Sequence, residues 1–304
     1  MSRFEVLVLG NSSALPAYGR HPTSQLINIH EHYILIDCGE GTQERLVQYQ
    51  AKPHKIEHIF ISHLHGDHYF GLPGLLTTMN LTGRKDKLFV YSPPGLQKLM
   101  QYVMELAMSS FNFEIIWYEL DGNKSIELLD DAVKKAIAFP LSHRVPTFGF
   151  LIKEKSGKRV FNAAKIQGDL PPYEVIRKLK DGQDVTLEDG TLMRSLEYTS
   201  DPLPAKSYAY CSDTVFLPGV CTYIQNSDLL YHEATYTEMH KTKAIENHHS
   251  TALDAATIAE KAKVKRLAIG HFSSRYKDLS VLLAEAKAKF ENVILAEEGK
   301  WMNV

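Results

Sequence analysis

The sequence predicts an α/β chain in which mixed sheets are sandwiched between helical layers. Three observations carry that reading. Short apolar runs bounded by turn residues recur in both halves, stretches with apolar residues at i, i+3, i+4 spacing lie between them, and the composition is that of an ordinary globular protein. Of 304 residues, 44% are apolar and 23% charged. This excludes disordered, fibrous and coiled-coil chains and leaves ample chain for a sizeable core.

Taken in order, Phe4 to Leu9 (FEVLVL), Gln25 to Ile29 and Tyr33 to Ile36 read as strands. Gly41 to Gln50 reads as a short helix, and Glu57 to Ser62 (EHIFIS) as the strand that follows. Gly71 to Leu81 and Pro93 to Met108 read as helices; the second opens on prolines and repeats Leu96, Leu99, Met100, Val103 and Leu106 at helical spacing. Leu88 to Tyr91, Glu114 to Leu120, Lys135 to Phe139 and Thr147 to Lys153 read as strands. The C-terminal part repeats the theme. Ser207 to Cys211, Asp228 to His232 and Arg266 to Ile269 read as strands, with helices near Thr251 to Ala262 and Leu279 to Lys289.

One stretch differs: from Glu154 to Leu203 the apolar periodicity fades and Gly, Pro, Lys and Asp accumulate, as in GDLPPYEVIRKLKDG. Such a stretch reads as a surface insertion rather than part of a core.

Composition narrows the partners. Lys and Arg number 34 against 36 Asp and Glu, a net charge of −2, so any polyanion must be met by local positive charge and not by a global field. No window approaches the roughly 18 apolar residues of a membrane span, and the N-terminus lacks a signal-peptide pattern, so a cytoplasmic address is expected. Three isolated cysteines, Cys38, Cys211 and Cys221, read as reduced thiols.

The 14 histidines are the unusual entry in that composition, and their positions carry the chemistry. His63-Leu-His65-Gly-Asp67-His68 directly follows the strand EHIFIS. Imidazole and carboxylate are ligands that zinc and related divalent ions accept. Four donors within six residues fit neither one helix face nor one strand face, so a tight turn at the strand end is expected to gather them. Because adjacent residues cannot all reach one ion without strain, two neighbouring ions are the natural reading. Further donors then come from other strand ends: His143 in SHRVPTFGF, Asp213 in CSDT and His271 in IGHFSSRY.

HLHGDH after a strand resembles the signature of the metallo-β-lactamase superfamily. The ordered set GNSSALP, IDCGEGTQ, GDHYFGLPGLL, SHRVPTFGF, CSDT, HEAT and HFSSRY resembles one branch, tRNase Z, nearly end to end. The resemblance implies an αββα sandwich over residues 1–304, with a flexible tRNA-binding arm inserted at 154–203. It implies two Zn2+ per subunit, with Mn2+ or Co2+ as substitutes. His63, His65 and His143 would bind one ion, Asp67, His68 and His271 the other, and Asp213 both. Asp213 stands where a thiolate would suggest a β-lactamase, and His65 where Glu would suggest a diiron oxygen-reducing enzyme; both point to hydrolysis.

The implied activity is endonucleolytic removal of the 3′ trailer from precursor tRNA, by a homodimer and with no membrane role. Asp67 is the implied general base. Glu233 of HEAT and His249 of HST are the implied pair that protonates the leaving oxygen, while His248 is expected to turn away by alternation. In the arm, Lys165, Arg177, Lys178 and Lys180 near Tyr173 form a basic edge suited to phosphate contacts, and VTLEDGTL resembles a hairpin tip. The early loop retains Arg20 as a substrate-binding residue but carries Tyr18 and His21 where the family has Lys and Asn. Altered discrimination against mature CCA ends is therefore expected, and strong rejection of trailers with encoded CCA would contradict it. Two other readings are weighed: a general or small-substrate phosphodiesterase or exoribonuclease of the same superfamily, and an RNA-binding protein with a relict site.

Overall fold

Alternation along the strands decides how the layers stack. The computed structural model describes residues 3–108, 110–166 and 168–304. In the strand Phe4–Gly10, Phe4, Val6 and Val8 face one cluster while Leu7 and Leu9 face another, as the two-residue period of a strand requires. Both faces are apolar, so this strand is covered on both sides.

The first sheet runs, edge to edge, Trp301–Asn303, Phe4–Gly10, Ser24–Ile29, His32–Ile36, Ile56–Phe60, Leu88–Ser92 and Ile115–Glu119. The second runs Val293–Leu295, Arg266–Gly270, Leu229–Glu233, Ser207–Cys211, Phe148–Glu154, Lys134–Pro140 and Ile126–Asp130. Between the sheets lies one apolar layer, to which Val6, Ile27, Ile34 and Phe60 contribute from the first and Phe150, Tyr208, Tyr210 and Tyr231 from the second. Outside the first sheet, Leu46, Leu72, Leu75, Met79 and Met100 of its helices cover Leu7, Leu35 and Ile59. Outside the second, Ala255, Ala256, Ile258 and Ala259 of helix Ala252–Lys261, with Leu282 and Ala286, cover Ala209, Leu230 and Leu267. Alanines on that helix let it lie close to the sheet. Its start is fixed by a capping box, in which Thr251 Oγ1 accepts from the Asp254 N–H at 3.1 Å and Asp254 Oδ2 accepts from the Thr251 N–H at 3.0 Å. The order is helix, sheet, sheet, helix.

Some elements depart from the sequence reading. Helix Leu96–Leu106 begins three residues after Pro93, because Gly95 with φ 104° turns the chain into it. Leu96 and Met100 are buried, whereas Leu99 and Leu106 are exposed. The strands Ile126–Asp130, Val293–Leu295 and Trp301–Asn303 have no sequence counterpart; all are edges, short and half-covered, so alternation is weak. No helix among the described residues is long and apolar enough to cross a membrane.

The chain divides into two compact units, one of residues 1–153 with 206–304 and one of Glu154–Ala205. Within the second, Val160–Phe161 pairs antiparallel with Thr199–Ser200, and Val185–Thr186 with Leu192–Met193. The latter pair is the hairpin of VTLEDGTL. Despite the faded periodicity, helix Tyr173–Lys180 forms there with Leu179 buried.

Strand direction positions the chemistry. Ser207–Cys211, Leu229–Glu233 and Arg266–Gly270 are mutually parallel, so their carboxyl ends lie side by side, where α/β sheets build their sites. Asp213 and His271 follow two of those ends, Glu233 closes the third, and the His63–His68 run follows Ile56–Phe60 of the other sheet.

Candidate metal centre

All seven residues expected as ligands converge. His63, His65, His143 and Asp213 each present a ligand atom within 4.8 Å of the others, and so do Asp67, His68 and His271. Asp213 links the sets through its two oxygens. Oδ2 lies 3.5 Å from His63 Nε2 and 3.7 Å from His143 Nε2, while Oδ1 lies 3.3 Å from His68 Nε2 and 3.1 Å from His271 Nε2. Asp67 Oδ2 stands 3.5 Å from His68 Nε2 and 3.7 Å from His271 Nε2.

The local path differs from the simple turn expected for HLHGDH. His65 is on extended chain, whereas Asp67 and His68 ride on a single helical turn, Gly66–Tyr69. Successive residues on that turn point in different directions, so the two side chains reach the centre without crowding. Glycine holds this turn against the preceding loop: Cys38 N–H donates to the His68 carbonyl at 2.7 Å, and a Cβ on Gly39 would collide with the Asp67 carbonyl.

Four of the five imidazoles are oriented by their other nitrogen. His63 Nδ1 stands 3.0 Å from Ser62 Oγ, His68 Nδ1 2.8 Å from Asp37 Oδ2, His143 Nδ1 2.8 Å from the His248 carbonyl and His271 Nδ1 2.9 Å from Thr235 Oγ1. Such partners fix ring orientation and raise ligand basicity. Sequence reasoning did not assign Asp37, Ser62 or Thr235. Asp37 is fully buried and also accepts from the Ser62 N–H at 2.7 Å, Ser62 Oγ at 2.9 Å and the Tyr210 hydroxyl at 2.7 Å. Replacing Asp37 by alanine is expected to weaken metal retention about 10- to 100-fold, measured as the chelator concentration that strips half the metal; unchanged retention would contradict the role. His248 does not follow from strand alternation, because the chain there is a turn with φ 57°; its carbonyl, not its ring, orients His143.

Left-handed backbone recurs around the centre: Ala14 (φ 49°), Asp37 (φ 55°), Asp213 (φ 44°) and His271 (φ 57°). Each costs about 1–3 kcal/mol and persists only where surrounding structure fixes it.

The donor set fits divalent metal. Nε2 of His68 and of His271 is buried without a hydrogen-bond partner, and His63 Nε2 meets His65 Nδ1 at 3.0 Å, two ring nitrogens converging on one point. Burial holds His63, His65 and His143 below the ordinary histidine range, as neutral ligands should be. Burial opposes charge on His68 too, but Asp213, Asp67 and Asp37 outweigh it and raise that imidazole well above its usual value. The carboxylates thus draw positive charge toward the centre.

Beside the metal ligands stands a second carboxylate–histidine pair. Glu233 is fully buried; its Oε1 accepts from the Thr214 N–H at 2.8 Å and lies 2.9 Å from His249 Nδ1, and its Oε2 accepts from Thr235 Oγ1 at 2.6 Å. Burial works against a charged His249, but Glu233, then Asp213 and Asp67, push the imidazole up to about 9. A cleft of about 270 Å³ opens onto the centre, lined by Ser13, Ala14 and Tyr236 among others. The Ala14 N–H donates to Asp67 Oδ2 at 2.9 Å, which ties GNSSALP to the metal ligands.

The substrate-binding residues expected from sequence divide by what they already hold. Arg20 donates through Nη2 to the carbonyls of Tyr276 (2.8 Å) and Ser273 (3.4 Å), so it braces the early loop on HFSSRY. His21 Nδ1 lies 2.9 Å from Glu298 Oε2, while Tyr18 is exposed. In the other unit, Lys165 donates to the Glu197 carbonyl at 2.6 Å and Arg177 pairs with Glu174 at 2.6 Å. Tyr173 and Lys178 are exposed on the helix and Lys180 is half-buried.

A family model described as "Anti-Pycsar protein Apyc1" matches residues 4–136. The chain is 40% identical over 299 residues to a ribonuclease Z of Bacteroides fragilis, covering 98% of each chain. The structure of human tRNase Z, short form, is similar with a TM-score of 0.72 and 30% identity, covering 98% of both chains. A metallo-β-lactamase-fold protein, YhfI of Bacillus subtilis, superposes with a TM-score of 0.71 at 17% identity over the whole of both chains, a likeness of fold. With the αββα layers, the paired ligand sets and this near end-to-end identity together, the chain belongs to the ribonuclease Z family and has the metallo-β-lactamase fold.

Proposed function

We propose that this chain is an endoribonuclease that removes the 3′ trailer from precursor tRNA, leaving a 3′-hydroxyl on the tRNA and a 5′-phosphate on the trailer. The observation that carries the reading is Asp213, whose two oxygens face two separate histidine sets at a cleft, in a chain aligned over 98% of its length with a ribonuclease Z.

Two zinc ions would fit the centre: His63, His65 and His143 would hold one, Asp67, His68 and His271 the other, and Asp213 faces both sets. Bound there, they supply hydroxide near neutral pH and neutralise charge on the phosphoryl oxygens. Mn2+ and Co2+ suit the same ligands.

The protein's own groups move the protons. His68 and His271 hold Asp67 ionised against its burial and the Ala14 N–H orients it; in this reading, by family resemblance, it takes the proton of the attacking water. As water adds to phosphorus, the bond to the ribose 3′ oxygen breaks and that oxygen needs a proton. Glu233 holds His249 Nδ1, which leaves Nε2–H to donate. His249→Ala is expected to lower kcat about 10²- to 10⁴-fold on RNA. A 3′-sulfur linkage, whose thiolate departs without a proton, should recover most of that loss; equal loss on both linkages would overturn the role.

The unit Glu154–Ala205 supplies the grip on tRNA in this reading, with Tyr173 and the exposed cations Arg177 and Lys178 meeting backbone phosphates. A small-substrate phosphodiesterase is less well supported. The curated relatives aligned over 98% of the chain carry the name ribonuclease Z. A homodimer and a cytoplasmic address complete the proposal. The first rests on family resemblance, the second on three cysteines that form no disulfide. Mapping the cut on a 3′-extended tRNA transcript tests the whole. Cleavage at the tRNA–trailer junction supports it, and stepwise trimming from the free end would overturn it.

A further inference from the structure

We propose that Arg144 binds the phosphate adjacent to the scissile one and thereby sets where the RNA strand lies in the cleft; the proposal deepens the ribonuclease reading and rests on it. Among the residues lining the cleft, Arg144 is the one lysine or arginine. It directly follows His143, a ligand of the first set, so its backbone is anchored at the reaction centre.

Its side chain is held through one nitrogen only. Nη2 donates to the Glu246 carbonyl at 2.9 Å and to Asn247 Oδ1 at 3.0 Å. Asn247 Nδ2 in turn donates to the Tyr236 hydroxyl at 3.0 Å, and Tyr236 lines the same cleft. Glu246 is the last residue of helix Lys241–Glu246, whose terminal carbonyls lack partners within the helix. Two neutral acceptors thus fix the guanidinium plane without neutralising its charge. Nε and Nη1 have no hydrogen-bond partner among the described residues, and the residue is exposed. With Nη2 fixed by neutral acceptors, Nη1 remains free to donate a charge-assisted hydrogen bond to a phosphate oxygen.

The chemistry needs such a group. The scissile phosphate falls to the metal ligands and His249, but each neighbouring phosphate brings a further negative charge toward Asp67 and Asp213. Apart from His249, no other cleft-lining side chain brings positive charge to meet it. Arg144 also has a purely architectural role available, capping helix Lys241–Glu246 and so steadying His248 and His249. The test separates the two.

Cleavage of a 3′-extended tRNA is measured for wild type, Arg144→Gln and Arg144→Ala. Each is tested on RNA of natural backbone and on RNA bearing a neutral methylphosphonate at the linkage one nucleotide 5′ or one nucleotide 3′ of the cut. Gln keeps an amide donor for the Glu246 carbonyl, and metal content and thermal midpoint confirm that each variant folds. On natural RNA the variants are expected to lose about 10- to 100-fold in kcat/KM, the worth of a charged hydrogen-bonded pair, mostly in KM. At one of the two positions the methylphosphonate should cost wild type a similar factor and cost the variants little more. If the variants lose the same factor on neutral as on natural linkages at both positions, Arg144 is architectural and the proposal is overturned. Failure of wild type itself to cut natural RNA at the junction would instead overturn the parent reading.

Discussion

Asp67→Ala is expected to reduce single-turnover cleavage of a 3′-extended tRNA by at least about three orders of magnitude while changing RNA affinity by less than about threefold. One side chain here combines two roles. Its carboxylate sits among His68, His271 and the Ala14 N–H, so its loss opens the second ligand set. It is also the group placed to accept the water proton, a role worth about 10²–10⁴ by itself. RNA binding draws on other residues, so a filter-binding isotherm should barely move. Cleavage within tenfold of wild type would show that Asp67 is neither ligand nor base. Matching losses in binding and cleavage would show that the substitution had merely unfolded the site.

Deleting Lys155 to Leu203 is expected to lower kcat/KM for precursor tRNA by more than about 100-fold while a small chromogenic phosphodiester retains most of its turnover. The excision is geometrically mild. Phe148–Glu154 and Ser207–Cys211 are antiparallel neighbours with Lys153 opposite Ser207, so the four residues left between them can close as a hairpin. The seven proposed ligands, Glu233 and His249 all lie in the other unit. What disappears is the exposed helix with Tyr173, Arg177 and Lys178. Recognition of a folded RNA by shape and phosphates is spread over such contacts, and the lost binding should appear mainly in KM with a shallower salt dependence. Equal losses on both substrates would remove the unit as an RNA handle.

Much of the site is visible in the sequence because donors are dense there. His63 to His68 stand out on spacing alone, and His143, Asp213 and His271 follow recognisable strand ends. The groups that orient them are not visible in that way. Asp37 lies 31 residues before His68 and 173 before Tyr210, both of which it bonds, and one aspartate after a strand carries no spacing signal. Thr235 has an ordinary place beside Glu233, and its bond to His271 crosses 36 residues. His248 contributes a carbonyl, which no side-chain pattern can announce. The central strands and long helices follow from apolar periodicity. Three of the four edge strands do not, because half of each is solvent-facing and the pattern that reveals burial is weak. Within Glu154–Ala205 the small elements are held by local hydrogen bonds, such as Ser195 Oγ to the Leu179 carbonyl at 2.7 Å, more than by an apolar stripe.

The paired ligand sets are tested most directly by elemental analysis of the purified, active protein. Two equivalents of a divalent transition metal per chain are expected, falling together with activity as a strong chelator removes them. Full activity in protein from which every such ion has been stripped would contradict the dinuclear centre.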